Sequence, residues 1–301
     1  MSQESSYPDL SLLLESWLLA LRAERKSPAT LKSYGNGIRA FLAWCEKKPV
    51  PPVLSKDNYH AFSADLLDEG REASTVVSRQ LALRRFSAWL TEEQEIPEDD
   101  LAKVKTAKID SKVIEPLTPD EIKAFLKACQ GNDFMARRDE AIFRLMVETG
   151  IRAGECVSIT TEDLNLMEGT AIVRRGKGGK GRVVPFGSQT ARALDRYRRA
   201  RAQHSMADLP NFWLGARRKG FTYDALHKAL EKRATEAGIE RFHPHLLRHT
   251  AAHRWLSAGG SETGLMAVAG WSQSDMLQRY TKARASDRAA QEARSLNLGD
   301  L

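Results

Sequence analysis

The chain of 301 residues is poor in cysteine, and its cysteines follow no spacing rule. Cys45, Cys129 and Cys156 are scattered, with no C-x-x-C pair. An odd, unspaced set argues against a disulfide framework or a cysteine zinc site, and it suits a reducing compartment. No run of 18 apolar residues is present, so no membrane-spanning helix is expected. Glu4, Asp9 and Glu15 interrupt the apolar N-terminal residues, which therefore do not read as a secretory leader. A cytoplasmic protein is expected. Internal repeats and low-complexity tracts are absent from the sequence. The run Gly176-Lys177-Gly178-Gly179-Lys180-Gly181 lacks the G-x-x-x-x-G-K-[ST] pattern and joins two strand-like segments, which excludes a nucleotide-binding P-loop. His243, His245, His249 and His253 come with neither a cysteine partner nor H-E-x-x-H. Neither a metal nor a cofactor is expected.

Basic residues are in moderate excess, 46 Lys+Arg against 39 Asp+Glu, giving a net charge of +7. Their distribution says more than their total. From Arg174 to Arg201 there are ten Lys/Arg and one acid, Asp195. Such a stretch is either a solvated face or a contact with a polyanion, and nucleic acid is the natural candidate.

The length suggests two domains. The first third reads as helices alone. Residues 10–24 form an apolar-rich helix, and Ser27-Pro28 opens a second, with Ser as N-cap and Pro at the first helical position. There Leu31, Tyr34, Ile38, Phe41 and Cys45 make one apolar stripe. Ser55 caps a third helix with Phe62, Leu66 and Leu67 facing inward, and a fourth spans about 74–90 with Val77, Leu81, Phe86 and Trp89 apolar. Four short-looped helices over residues 1–91 make a small bundle. Residues 92–114 pass from acidic to lysine-rich without apolar periodicity, and read as an interdomain linker. A second domain is expected over 115–285. Thr118 and Glu121 form a capping box around Pro119, and helices dominate after it. Ile172-Val173 and Arg182 to Phe186 look like two strands of a small antiparallel sheet. The fold class expected is mostly α with that one sheet.

Four segments carry chemistry. Thr149-Gly150-Ile151-Arg152-Ala153-Gly154-Glu155 places an arginine at a helix start, where phosphate is favoured, with Glu155 in reach to orient it. The glycine-rich turn can lower a lysine onto DNA. His243-Pro244-His245-Leu246-Leu247-Arg248-His249 opens a helix on which His245 and Arg248 share a face, a pairing suited to phosphate. The last segment runs from Gly270-Trp271 to Arg279-Tyr280. Each has an ordinary structural reading by itself: a surface arginine, a solvated turn, a polar helix face, a core tyrosine.

Taken in order, Arg…Lys…His-x-x-Arg…Trp…Tyr resembles the tyrosine recombinase (phage integrase) family, over about residues 8–290. The resemblance implies a catalytic set of Arg152, Lys177, His245, Arg248, Trp271 and Tyr280, supported by Glu155, and DNA contacts at Arg174, Arg175, Lys180 and Arg182. It implies a SAM-like core-binding domain at the N-terminus, and no arm-binding domain before it, because helices start near residue 10. It implies a 3′-phosphotyrosyl intermediate, strand exchange through a Holliday junction and core-type attachment sites on double-stranded DNA. The implied assembly is a homo-tetramer on DNA from a monomer in solution, helped by a DNA-bending accessory protein. Integration of a phage genome and resolution of plasmids or chromosomes are both open as uses, and the tail 286–301 is expected to dock on a neighbouring subunit. Most members carry His where Trp271 stands; indole donates a hydrogen bond but cannot shuttle a proton. The alternatives are a type IB topoisomerase, a DNA-binding regulator without catalysis, and a metal hydrolase built on the histidines.

Overall fold

A computed structural model of the chain describes residues 8–107, 114–174, 181–216 and 220–271. The fold is mostly α with one small antiparallel sheet, and it divides into two units, Met1–Lys112 and Val113–Leu301. No described helix is long and apolar enough to cross a membrane.

The first unit is built on four helices, α1 (Leu10–Ala23), α2 (Pro28–Lys47), α3 (Lys56–Asp68) and α4 (Ala73–Glu92). Their starts are set by side-chain caps. Asp9 accepts from the Ser11 and Leu12 N–H groups, Ser27 from Thr30 and Ser55 from Asn58. Trp17, Ile38, Phe41, Phe62, Leu83 and Phe86 fill the interior, with Phe41 edge-on to Phe62 at 5.5 Å. Leu67, expected to face inward, is 46% exposed, and the apolar Leu81 of α4 is 38% exposed. On α4 the buried row is Val76, Leu83, Phe86 and Leu90, one position away from the row that Val77 and Leu81 suggest. The expected linker also departs from expectation. Leu101 and Val104 are buried in this core. Asp99 accepts from the Ser87 hydroxyl and the Leu101 N–H, and the Gln80 side chain accepts from the Ala107 N–H. Residues 92–107 thus belong to the first unit, because two apolar residues without a helical period still suffice to anchor them.

The second unit opens with α5 (Pro119–Ala128), where both halves of the Thr118–Glu121 capping box are present. Next come α6 (Phe134–Thr149), capped by Asp133, and the short α7 (Ala153–Val157). The sheet has order β1 (Leu164–Asn165), β2 (Thr170–Val173), β3 (Arg182–Pro185), with Ala171 opposite Val184. Four helices follow among the described residues, α8 (Ser188–Ala202), α9 (Tyr223–Glu236), α10 (Pro244–Ser257) and α11 (Glu262–Ala269). Phe125 and Phe143 stack at 3.8 Å in the core. A buried ion network ties α6 to α9: Asp139 accepts from Arg138 at 2.8 Å and from Arg233 at 3.1 Å. Paired in this way, buried charges avoid the penalty of standing alone.

Candidate active site

The site is assembled where α6 gives way to α7. Gly150 ends α6 in the left-handed region (φ 65°), which favours glycine, and the chain turns back so that Arg152 caps α7. Arg152 has no short oxygen-bearing side chain to cap with. Instead Glu155, at the third position of α7, accepts the Arg152 backbone N–H at 2.9 Å and its guanidinium at 2.8 Å. The bond expected between these two side chains is therefore present. The far side of the same guanidinium donates to the Gly270 carbonyl at 3.4 Å, and 28% of the side chain remains exposed.

Arg248 arrives from α10. It is almost fully buried, donating to the Gly150 carbonyl and to the Ala269 carbonyl, each at 2.7 Å. The Trp271 ring lies 5.1 Å from its guanidinium carbon, an attractive cation–π placement. The two arginines thus hang from consecutive carbonyls, Ala269 and Gly270, at the end of α11. Each approaches them from a different helix. His245 stands one turn before Arg248, exposed, with its ring edge-on to His249 at 4.8 Å. Ahead of it, Arg241 clamps the lead into α10 onto α5, through Glu121 and the Pro116 carbonyl at 3.2 Å. The hydrogen bond from Arg241 pulls the Glu121 carboxyl down to about 2. His243, the N-cap of α10, is held below its ordinary value by burial and by the charge of His227.

Lys177 and Tyr280 lie outside the described residues, as do Arg175, Lys180 and the tail 286–301. Arg174 is exposed, and its guanidinium is engaged by Asp163, with Glu162 at 3.7 Å. Arg182 is used otherwise than expected. It is turned inward, donating to both oxygens of Glu155 (3.0 and 2.8 Å) and to the Val268 carbonyl (2.7 Å). So held, its guanidinium is committed to partners within the chain. Strand alternation carries the signal for this: Arg182 shares a face with Val184, which is fully buried. The rest of the basic stretch is likewise spoken for in part. Arg196 pairs with Glu140, Arg198 and Arg199 with Asp195, and buried Arg201 donates to the carbonyls of Ala207, Leu209, Asn211 and Phe212. Much of the positive charge in that stretch holds the second unit together.

Burial alone would raise the Glu155 carboxyl. Hydrogen bonds from Arg182 and from the Arg152 backbone, with the charge of Arg182, outweigh it and leave the pKa below the ordinary carboxylate value. Glu155 is thus an anion flanked by two guanidinium groups. Among the described residues there is no group of three or more His, Cys, Asp or Glu side chains able to hold a metal ion.

A part-exposed Arg152, oriented by an acid, and a buried Arg248 meeting at one turn suit binding of a single phosphate. Comparison with known proteins agrees. Residues 115–287 match the phage integrase family, and residues 13–98 match the phage integrase N-terminal SAM-like domain. The chain belongs to the phage integrase family. Its tyrosine recombinase relatives include the XerC of Thermodesulfovibrio yellowstonii, 30% identical over 264 residues, covering 85% of this chain and 86% of the relative. Among solved structures, a XerH site-specific recombinase bound to a palindromic difH substrate superposes with TM-score 0.71 at 18% identity, covering 92% of this chain and 83% of the other. A lambda integrase tetramer bound to a Holliday junction gives 0.67 at 17% identity, over 91% and 83%. These two likenesses concern the fold.

Proposed function

We propose that this tyrosine recombinase cuts and rejoins double-stranded DNA at specific sites through a covalent bond between Tyr280 and a 3′-phosphate. The observation that carries the reading is the suspension of Arg152 and Arg248 from neighbouring carbonyls, next to Trp271. Their charges would offset the negative charge gained by the phosphate in the transition state.

A tyrosine phenol has a pKa of about 10, so it needs a base to attack at neutral pH. In this reading His245 takes the proton as the Tyr280 oxygen bonds to phosphorus. The bond from phosphorus to the 5′ oxygen breaks, and Lys177 gives that oxygen a proton. One phosphodiester is exchanged for one phosphotyrosine, so no nucleotide or metal is consumed. Reversal with the 5′ hydroxyl of a second DNA completes strand exchange. Trp271 packs the site and donates from its indole, without a proton to relay. Core-type contacts by the first unit, passage through a Holliday junction and a homo-tetramer on DNA belong to the same proposal. They are supported by the SAM-like match and by the junction-bound lambda integrase tetramer. The sequence relative is a Xer recombinase, and viral genome integration forms no part of the proposal.

The test is trapping. The full chain is incubated with a library of nicked random-sequence duplexes, and DNA that survives denaturation bound to protein is sequenced and its attached peptide mapped. Adducts at Tyr280 are expected from the wild type and none from Tyr280→Phe, with duplex binding retained. A wild type that yields no adduct, or a mutant that yields the same one, overturns the reading.

A further inference from the structure

We infer that Arg182 is a positioning residue for the cleavage step, acting through Glu155 on Arg152 and through Val268 on the turn that carries Trp271. The inference rests on the reading of Arg152 as a phosphate ligand. Arg182 is the first residue of β3, at the foot of the connection that contains Lys177. Its side chain is 11% exposed, and all three guanidinium nitrogens donate. Nη1 and Nη2 reach the two Glu155 oxygens at 3.0 and 2.8 Å, and Nε reaches the Val268 carbonyl in α11 at 2.7 Å. The planar fork of arginine fits this geometry, whereas a lysine ammonium would have to choose one partner.

The arrangement does two things that Glu155 could not do alone. Each carboxylate oxygen takes one bond from Arg182 and one from Arg152, so the carboxylate has four bonds fixing its plane. That plane then sets the direction of the Arg152 guanidinium. The charge balance also differs. Two guanidinium groups share one carboxylate, leaving a net positive charge beside the exposed part of Arg152. Without Arg182, Glu155 would neutralise Arg152 by itself and weaken its pull on a phosphate. The third bond links this pair to α11, two residues before Gly270, whose carbonyl receives Arg152. The packing there is close. A Cβ on Gly270 would stand 3.1 Å from Arg182, and Gly270 already needs its left-handed φ of 65°. One side chain therefore ties three segments of the site together: the Arg152 turn, the base of the Lys177 connection and the approach to Trp271.

The experiment uses the full chain and the duplex recovered by trapping. The rate of adduct formation at saturating DNA and the half-saturating DNA concentration are measured for wild type, Arg182→Gln, Arg152→Lys and the double variant. Misplacing a group that positions the reacting phosphate by about 1 Å can slow a reaction by roughly 100-fold. Arg182→Gln is expected to slow the saturated rate by that factor and to leave half-saturation unchanged. Arg182→Lys, which restores the charge but not the fork, is expected to recover part of the rate, and it replaces Arg182→Gln if that variant does not fold. In the Arg152→Lys background the Arg182→Gln effect is expected to vanish, because residues that act through one another are not additive. A variant as fast as wild type overturns the inference. So does a double variant showing the product of the two single effects, or a loss seen only in half-saturation. If the wild type itself forms no adduct, the reading of Tyr280 and Arg152 fails first, and this inference with it.

Discussion

At the scale of single residues, burial decides which groups can react. Burial pushes the Cys129 thiol up to about 12 and Cys45 to about 11, and it raises Cys156 as well. The thiolate is the reactive form. A folded chain treated with a thiol-alkylating reagent near pH 8 is therefore expected to keep all three cysteines unmodified, and to be labelled at all three once unfolded in guanidinium. Mass spectrometry reads the outcome, and rapid labelling of any one in the native chain would show that its surroundings open. The same scale shows how far the site can be read from sequence. The Arg152–Glu155 bond lies within one helical turn, so spacing alone suggests it. The partners of Arg248 are carbonyls 98 and 21 residues away, and no local pattern reveals a backbone oxygen as a ligand. Arg182 falls between these cases. Alternation along β3 indicates its inward face, yet a run of basic neighbours argues for a solvent-facing role, and only the three-dimensional placement of Glu155 decides between them.

At the scale of elements, legibility follows how local the cause is. Ser27, Ser55 and Thr118 start their helices through hydrogen bonds three residues long, and each was visible as a cap before a periodic run. The buried face of α4 was not. Val76, Val77, Leu81, Ala82 and Leu83 spread apolar surface over more than one face, so packing against α2 and the neighbouring helices selects the row. β1, two residues long, leaves no period to detect. The turn from α6 to α7 combines a local signal with a distant consequence. Gly150 takes φ 65°, and its carbonyl holds Arg248. A Cβ there would lie 3.3 Å from the Ala251 Cβ. Gly150→Ala should therefore lower stability by roughly 1–2 kcal/mol from the backbone alone, read as a lower urea midpoint. It should also slow adduct formation on the trapped duplex, because the strained turn moves the Arg248 acceptor. A variant with unchanged midpoint and unchanged rate would mean that this turn adapts without moving the arginine.

At the scale of the whole molecule, the chain is two cores in series. The first is closed by Trp17, Phe41, Phe62 and Phe86, the second by residues such as Phe125, Phe143 and Trp213. The family matches, 13–98 and 115–287, leave residues 99–114 unassigned, and composition alone makes that stretch look like a solvated tether. Leu101 and Val104 contradict that reading as far as residue 107, since both are buried in the first core, Leu101 completely. Burying one such side chain contributes roughly 1.5–3 kcal/mol. Two hydrogen-bonded anchors, Asp99 to Ser87 and Gln80 to Ala107, add to it. The consequence is a test of where the first unit ends. A fragment of residues 1–107 is expected to unfold in urea in one cooperative step, with Trp17, Trp44 and Trp89 as fluorescent reporters. A fragment of residues 1–91 should have a clearly lower midpoint, because it keeps the four helices but loses both apolar plugs and both anchors. Equal midpoints would show that the segment after α4 rests on the first unit without stabilising it, and would return it to the role of a tether.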